Sequence, residues 1–310
     1  MTRYVLAKVG RAVFVIWAAY TLSFILLYLL PGNAIDMLFN PTEQNAETAQ
    51  AKAAIAAHYG FDKPPVVQYL TRLWAALHGD LGSSVQSGKQ VWDAIGDVIG
   101  STLVLTLLAG VLATAIAFTI AFTAAHTQFR WLRTLLQSVP VAAVSIPVFF
   151  VGLVAIQIFA FKAHWFPPIG DQGWHTLVLP VVTLAIPVSG PIAQLLLNSF
   201  LRELESPYVT TAIAKGGTRS WVLTREVFRN ASLPALTIAG VIMGNLLAGA
   251  VIVETVFSRS GMGRLTQLSV GTRDITVIQG IVVTTALIFA LINLIVDLLY
   301  PLLDPRLKVR

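Results

Sequence analysis

An all-α integral membrane protein with six transmembrane helices is the fold class this sequence predicts, on three observations. Only 12% of its 310 residues are charged and 56% are hydrophobic, whereas a soluble domain carries about 25% charged residues. Six stretches, residues 12–30, 99–125, 134–161, 177–197, 231–253 and 275–296, contain no Asp, Glu, Lys or Arg. Each reaches the roughly 20 apolar residues a spanning helix needs. The basic residues, finally, divide unequally between the two sides that six spans would create.

The first span follows Arg3, Lys8 and Arg11. Its apolar run exceeds the roughly 7–15 residues of a signal-peptide core, and no small-residue cleavage site closes it, so it reads as a retained helix. Six spans put both termini on one side. If that side is the cytoplasm, 13 Lys/Arg residues lie inside and 8 outside. Four of the outer ones (Lys52, Lys63, Arg72, Lys89) fall in the long segment 31–98, where the positive-inside rule loses force. The expected orientation is N-in and C-in. The net charge of +6 then reflects topology, not nucleic-acid binding, and the expected environment is the lipid bilayer.

Segment 31–98 is too polar to span and is expected to fold as a small helical extracytoplasmic subdomain. Asn40-Pro41-Thr42-Glu43 has the order of a helix start, with a capping Asn, Pro at the first helical position and Glu three residues on. The Ala-rich run to His58 favours helix, Asp62-Lys63-Pro64-Pro65 breaks it, and Val66 to Leu77 resumes it with Tyr69, Leu70, Leu73 and Leu77 at helical spacing. Gly82 to Gln90 superficially resembles a phosphate-binding loop, but five residues separate its glycines and Gln90 follows Lys89, where that motif needs four residues and Ser or Thr.

In the third span Pro140 and Pro147, and in the fourth Pro180, Pro187 and Pro191, each remove a backbone donor and favour a bend. Helix curvature for packing and a role in a translocation pathway both fit, and Pro147 and Pro187 are the pathway candidates. Gly240, Gly244 and Gly249 in the fifth span suggest close helix–helix approach. Glu254 ends that span and is a candidate for an outer gate or pathway mouth. Asp297 ends the sixth and is expected to anchor near Arg306. Both sit near span ends, where a carboxylate costs less than at the bilayer centre.

Catalytic chemistry is not legible. The chain has no cysteine, and its five histidines, His58, His78, His126, His164 and His175, are dispersed. Neither a Gly-x-Ser-x-Gly elbow nor a His-Glu-x-x-His pair occurs. A proton-coupled secondary transporter would call for an ionisable residue in mid-membrane, and the spans contain no carboxylate there.

The charge instead gathers at residues 198–233, between spans four and five. Tyr208 to Lys215 is helix-compatible, and Gly216-Gly217 suits a helix C-terminus. From Trp221, at 100° per residue, Leu223, Val227, Ala231 and Phe228 project to one side and Arg225, Arg229 and Glu226 to the other. Val222 and Thr224 break the pattern. The second helix could lie on anionic lipid or be gripped by a soluble partner. Leu233-Pro234 then opens the fifth span.

These residues resemble the cytoplasmic EAA loop of ABC-importer permeases, in its dipeptide/oligopeptide/nickel form. Thr211-Ala212-Ile213-Ala214-Lys215-Gly216 and Arg229-Asn230-Ala231-Ser232-Leu233-Pro234 match that form, with Thr210 and Thr211 where the general motif has Glu and Ala, and Ile213 where a basic residue is common. Leu29-Leu30-Pro31-Gly32, Gly79-Asp80-Leu81-Gly82, Ser145-Ile146-Pro147, Val253-Glu254-Thr255-Val256-Phe257, Gly261-Met262-Gly263-Arg264-Leu265 and Leu303-Asp304-Pro305-Arg306 extend the similarity over nearly the whole chain. Their order is similar to the first permease of the pair.

The resemblance implies a type I ABC-importer permease fold in which residues 1–30 form a cytoplasmic tail and first helix. Residues 31–98 would be the outer subdomain, 99–303 the core with the coupling loop 198–233, and 304–310 a cytoplasmic tail. It implies a second permease subunit, two ABC ATPase subunits and an extracytoplasmic substrate-binding protein as partners. No cofactor is expected on this chain, since ATP and magnesium would be used by the ATPases. The implied coupling residues are Thr210, Thr211, Ala212, Ala214, Lys215, Gly216, Gly217, Trp221 and Arg225. The implied cargo is di- and oligopeptides, with nickel chelates, glutathione or opines as alternatives.

Overall fold

The computed structural model describes residues 2–29, 46–171, 173–232 and 239–303. They form helices joined by short turns, with an isolated bridge between Ser83 and Gln90. Helices α1 (Thr2–Leu29), α4 (Val91–His126), α7 (His175–Leu204) and α12 (Ile275–Leu303) are long and apolar enough to cross a membrane. The pair α5 (Arg130–Ser145) and α6 (Val148–Lys162) supplies a fifth crossing when counted as one span. Helix α10 (Ala239–Val256) is apolar but only 18 residues long. The sequence extends the same span backward through Leu233-Pro234, which lie outside the described residues, as do Asn40 to Glu43, Pro31-Gly32 and residues 304–310 with Arg306.

The chain divides into two compact units, Met1–Ser101 with Ser260–Ala290, and Thr102–Arg259 with Leu291–Arg310. In the first, Val91, Ile95, Met262, Val277 and Ile281 form the core. Gly280 is required there because a Cβ would stand 2.3 Å from a methyl of Val91. The turn after Gly79 is tied to the start of α12 by Asp274, a 2%-exposed carboxylate. It accepts 2.6 Å from Ser84 Oγ and 3.4 Å from the Gln86 N–H. A buried charge needs such donors.

The expected break at Asp62 to Pro65 is present. Pro64 is extended, with φ −54° and ψ 143°, and Pro65 opens α3 (Pro65–Leu77) as a first-turn proline can. Helix α2 (Ala46–Tyr59) precedes it. The apolar residues of α3 do not all turn inward. Leu70 and Leu77 are exposed, while Gln68 is buried with its amide donating to the Lys63 and Phe61 carbonyls.

The second unit packs α4 to α7 and α10 around a core of small residues. Ala109, Ala113, Ala117, Ala121 and Ala125 recur every fourth position along α4, all fully buried, and such a stripe lets neighbouring helices approach closely. Gly249 serves the same end, since a Cβ there would meet Leu184 at 2.7 Å.

The third span is not one straight helix. Its two halves are bent by 99° at Ile146-Pro147. Ile146 is extended, at φ −91° and ψ 123°, because a residue before proline is pushed out of the helical region. The prolines of α7 leave that helix unbroken from His175 to Leu204.

Helix α5 lies against α7 at Gly190, where a Cβ would stand 2.7 Å from the Pro140 carbonyl and 2.6 Å from Val144 Cγ2. Gly190→Val should therefore lower the thermal midpoint of the purified complex, the overpacking costing about 1–3 kcal/mol. Gly100→Ala, at a position with nothing within 4 Å, should leave it unchanged. Fluorescence-monitored melts of both variants check this.

Candidate coupling site

The segment after α7 is a compact helix–turn–helix. Pro207 opens α8 (Pro207–Ala214), and Gly216 closes it. The Gly216 N–H donates to the Ile213 carbonyl at 2.9 Å and the Gly217 N–H to the Ala212 carbonyl at 3.0 Å. Those paired bonds form a Schellman C-cap, which needs a left-handed residue between its helix and its exit. Gly216 supplies it at φ +89°. The second glycine answers to space, since a Cβ on Gly217 would meet the Ala212 carbonyl at 2.9 Å and Trp221 at 3.3 Å.

Helix α9 (219–231) begins on a Thr218 cap, whose hydroxyl accepts the Trp221 N–H at 3.3 Å. Its middle, Val222–Val227, is π-helical. In such a turn the bonds run to the fifth residue, so Val222 and Val227 come to the same side. Val222, Leu223, Val227 and Ala231 are all buried. The 100° projection misplaced Val222 for this reason. Trp221, the origin of that projection, is 48% exposed.

Two links fix this element to the spans. Tyr208 Oη donates to Glu203 Oε2 at 2.6 Å, at the end of α7, and accepts from Asn230 Nδ2 at 3.4 Å. Burial, and then the bond to Glu203, push the Tyr208 pKa above its ordinary 10. A raised tyrosine pKa keeps the donor protonated at physiological pH, and the associated stability is lost only as pH rises past 10. The second link is aromatic: Phe228 of α9 meets Phe118 of α4 edge-on at 5.2 Å and stacks on Phe200 of α7 at 6.4 Å. Phe122 joins the same cluster.

Between the two short helices lies an open groove of about 700 Å³ lined by Tyr208, Thr211, Ala212, Lys215, Gly216, Gly217, Thr218, Trp221 and Glu226. Of the residues expected from the sequence, Thr211, Ala212, Lys215, Gly216, Gly217 and Trp221 meet here. Thr210, Ala214 and Arg225 are exposed on the same element but do not line the groove. Tyr208, Thr218 and Glu226 were missed; the S/T cap three residues before Trp221 was the legible signal for Thr218.

The other candidates stand elsewhere. Pro147 is exposed at the start of α6, and Pro187 is half-buried inside α7. Glu254 is fully buried, accepting from Thr102 Oγ1 at 2.6 Å, so its carboxylate joins α10 to α4 in the second unit. Nearby, Arg259, also buried, reaches Asp171 at 3.8 Å. No group of three or more His, Asp or Glu side chains suited to a metal occurs among the described residues.

The chain thus combines a bent, proline-broken helix pair with an exposed helix–turn–helix anchored to α4 and α7. Residues 117–309 match the family model of binding-protein-dependent transport system inner membrane components, and the chain belongs to that family as an ABC-importer permease with the type I fold. It is 34% identical over all 310 residues to the glutathione transport system permease protein GsiC of Salmonella paratyphi A, covering 100% of both chains. The GsiC proteins of Escherichia coli O6:H1 and K12 are 33% and 32% identical over the same full lengths.

Tyr208→Phe removes both side-chain bonds of that hydroxyl. At about 1 kcal/mol for each net hydrogen bond, amide exchange in α8 should rise up to roughly thirty-fold while α7 is unaffected. Hydrogen-exchange mass spectrometry on the purified complex checks this.

Proposed function

We propose that this chain is one of two permease subunits of an ATP-driven importer of short peptides, and that residues 198–233 receive the movement of an ATPase subunit. The reading rests above all on the groove between α8 and α9, which exposes Trp221 and Lys215 while Phe228 of α9 packs against Phe118 of α4 and Phe200 of α7. In this reading both termini face the cytoplasm. Two ATPase subunits hydrolyse ATP with magnesium, a second permease completes the pathway, and an extracytoplasmic binding protein delivers the cargo. Docking transmits work only insofar as its free energy differs between the outward- and inward-open states.

The leading cargo to test is glutathione, supported by full-length similarity to permeases named for it. Di- and oligopeptides in general are the broader alternative, favoured by the Thr-Ala-x-Ala-Lys-Gly form of the loop. Pro147 and Pro187 are proposed as pathway bends and Glu254 as a gate residue acting through its bond to Thr102.

In proteoliposomes containing the whole complex, Gly216→Trp should abolish glutathione-stimulated ATP hydrolysis and uptake, because the left-handed cap cannot hold a bulky residue at low cost. Wild-type rates for both in a normally assembled variant would overturn the coupling assignment. Uptake of labelled dipeptides but not glutathione by the wild-type complex would leave coupling intact and exclude the glutathione cargo.

A further inference from the structure

Helix α3 is built inside out. Two of its polar residues turn into the protein: Gln68 is buried on two carbonyls, and the Arg72 guanidinium donates to the Tyr59 carbonyl at 2.8 Å and lies 5.0 Å over the Phe61 ring. Its apolar residues turn out. Val66, Leu70, Trp74 and Leu77 form one stripe at 69%, 59%, 66% and 73% exposure. In water such an arrangement exposes what folding should bury and buries what water would solvate, so the surroundings of α3 must be apolar.

Its position along α1 says which surroundings. Thr21 Oγ donates to the Trp17 carbonyl at 2.8 Å. A hydroxyl has one proton, so Tyr69 of α3 donates its own to Thr21 across 2.8 Å. The Tyr69 ring also packs edge-on against Phe24 at 5.3 Å and tilts against Tyr20 at 5.9 Å. Thr21 is ten residues beyond Arg11, the last charge before the apolar run. At 1.5 Å per residue that is about 15 Å into a hydrocarbon layer about 30 Å thick. The residues of α1 at this level, Trp17, Leu22, Ile25 and Leu26, are themselves exposed apolar side chains.

We infer that α3 is immersed in the leaflet opposite the Lys8/Arg11 end of α1, with Val66, Leu70, Trp74 and Leu77 against phospholipid acyl chains. Segment 31–98 is therefore not wholly a water-exposed subdomain. One of its helices lies beside the first span as a membrane-embedded element whose polar groups are satisfied inward, as hydrocarbon requires. The remainder, from Asp80 onward, turns back to the Ser84–Asp274 lock.

The absence of cysteine permits a direct test with the full complex in lipid nanodiscs. Leu70→Cys and Leu77→Cys, with Lys63→Cys as the exposed control, are each labelled with the fluorophore NBD during purification, and the lipid contains a doxyl quencher. Acyl-chain contact should quench NBD at 70 and 77 at least about three-fold more than at 63. Without prior label, a membrane-impermeant maleimide should react about ten-fold more slowly at 70 and 77 than at 63. Reaction as fast as at Lys63→Cys would place α3 in water and overturn the inference. Slow reaction without quenching would mean that protein covers the stripe, and would overturn it equally. Two positions on the exposed face guard against the failure of either variant to assemble.

Discussion

In the proposed coupling, α8 and α9 move the spans through the packed seam that binds α9 to α4 and α7. Val222, Leu223, Val227 and Ala231 are removed from water along one side of α9, and Phe228 packs against Phe118 of α4 and Phe200 of α7. Burial of a Val or Leu side chain stabilises by about 1.5–3 kcal/mol, and aromatic pairs add about 0.5–1.5 kcal/mol. A push on the groove thus meets a body and not a hinged loop. The Tyr208 bonds to Glu203 and Asn230 close the other side, leaving Gly216 as the residue whose backbone angle sets the direction in which the groove faces.

Much of this was legible. Charge-free runs marked the spans, Pro64-Pro65 marked the start of α3, and Gly216-Gly217 marked the end of α8. Each is a local signal, since an uncharged run, a missing N–H or a left-handed residue acts within a few positions. What escaped was tertiary. The π-turn through Val222 changes the angular step in mid-helix, so a fixed 100° projection left Val222 unexplained. The aromatic cluster draws on residues 118, 122, 200 and 228, which no local pattern joins. The four-residue alanine period of α4 was visible in the sequence but hidden by uniform hydrophobicity. The helical spacing of Tyr69, Leu70, Leu73 and Leu77 marked α3 as a helix but did not say which of these residues the fold buries.

The buried carboxylates carry a related lesson. Glu254, expected at an outer gate or pathway mouth, and Asp274, not singled out from the sequence, both lie near the ends of spans. The fold encloses both, at 0% and 2% exposure, and supplies each with a hydroxyl donor, Thr102 for one and Ser84 for the other. A buried, hydrogen-bonded charge is strongly destabilising to break by removing its partner. Each pair therefore fixes its own unit: Glu254 holds α10 to α4 in one, and Asp274 holds the turn after Gly79 to the start of α12 in the other.

The most direct measurement replaces Trp221 with a photo-crosslinking benzoylphenylalanine in the assembled, transport-competent complex and identifies what it captures on illumination. The expected product is a covalent adduct with an ATPase subunit, its yield differing between nucleotide-free and ATP-bound complex because the docking must differ between states. An adduct only with lipid or with the second permease, from a complex that still transports, would contradict the role given to the groove between α8 and α9.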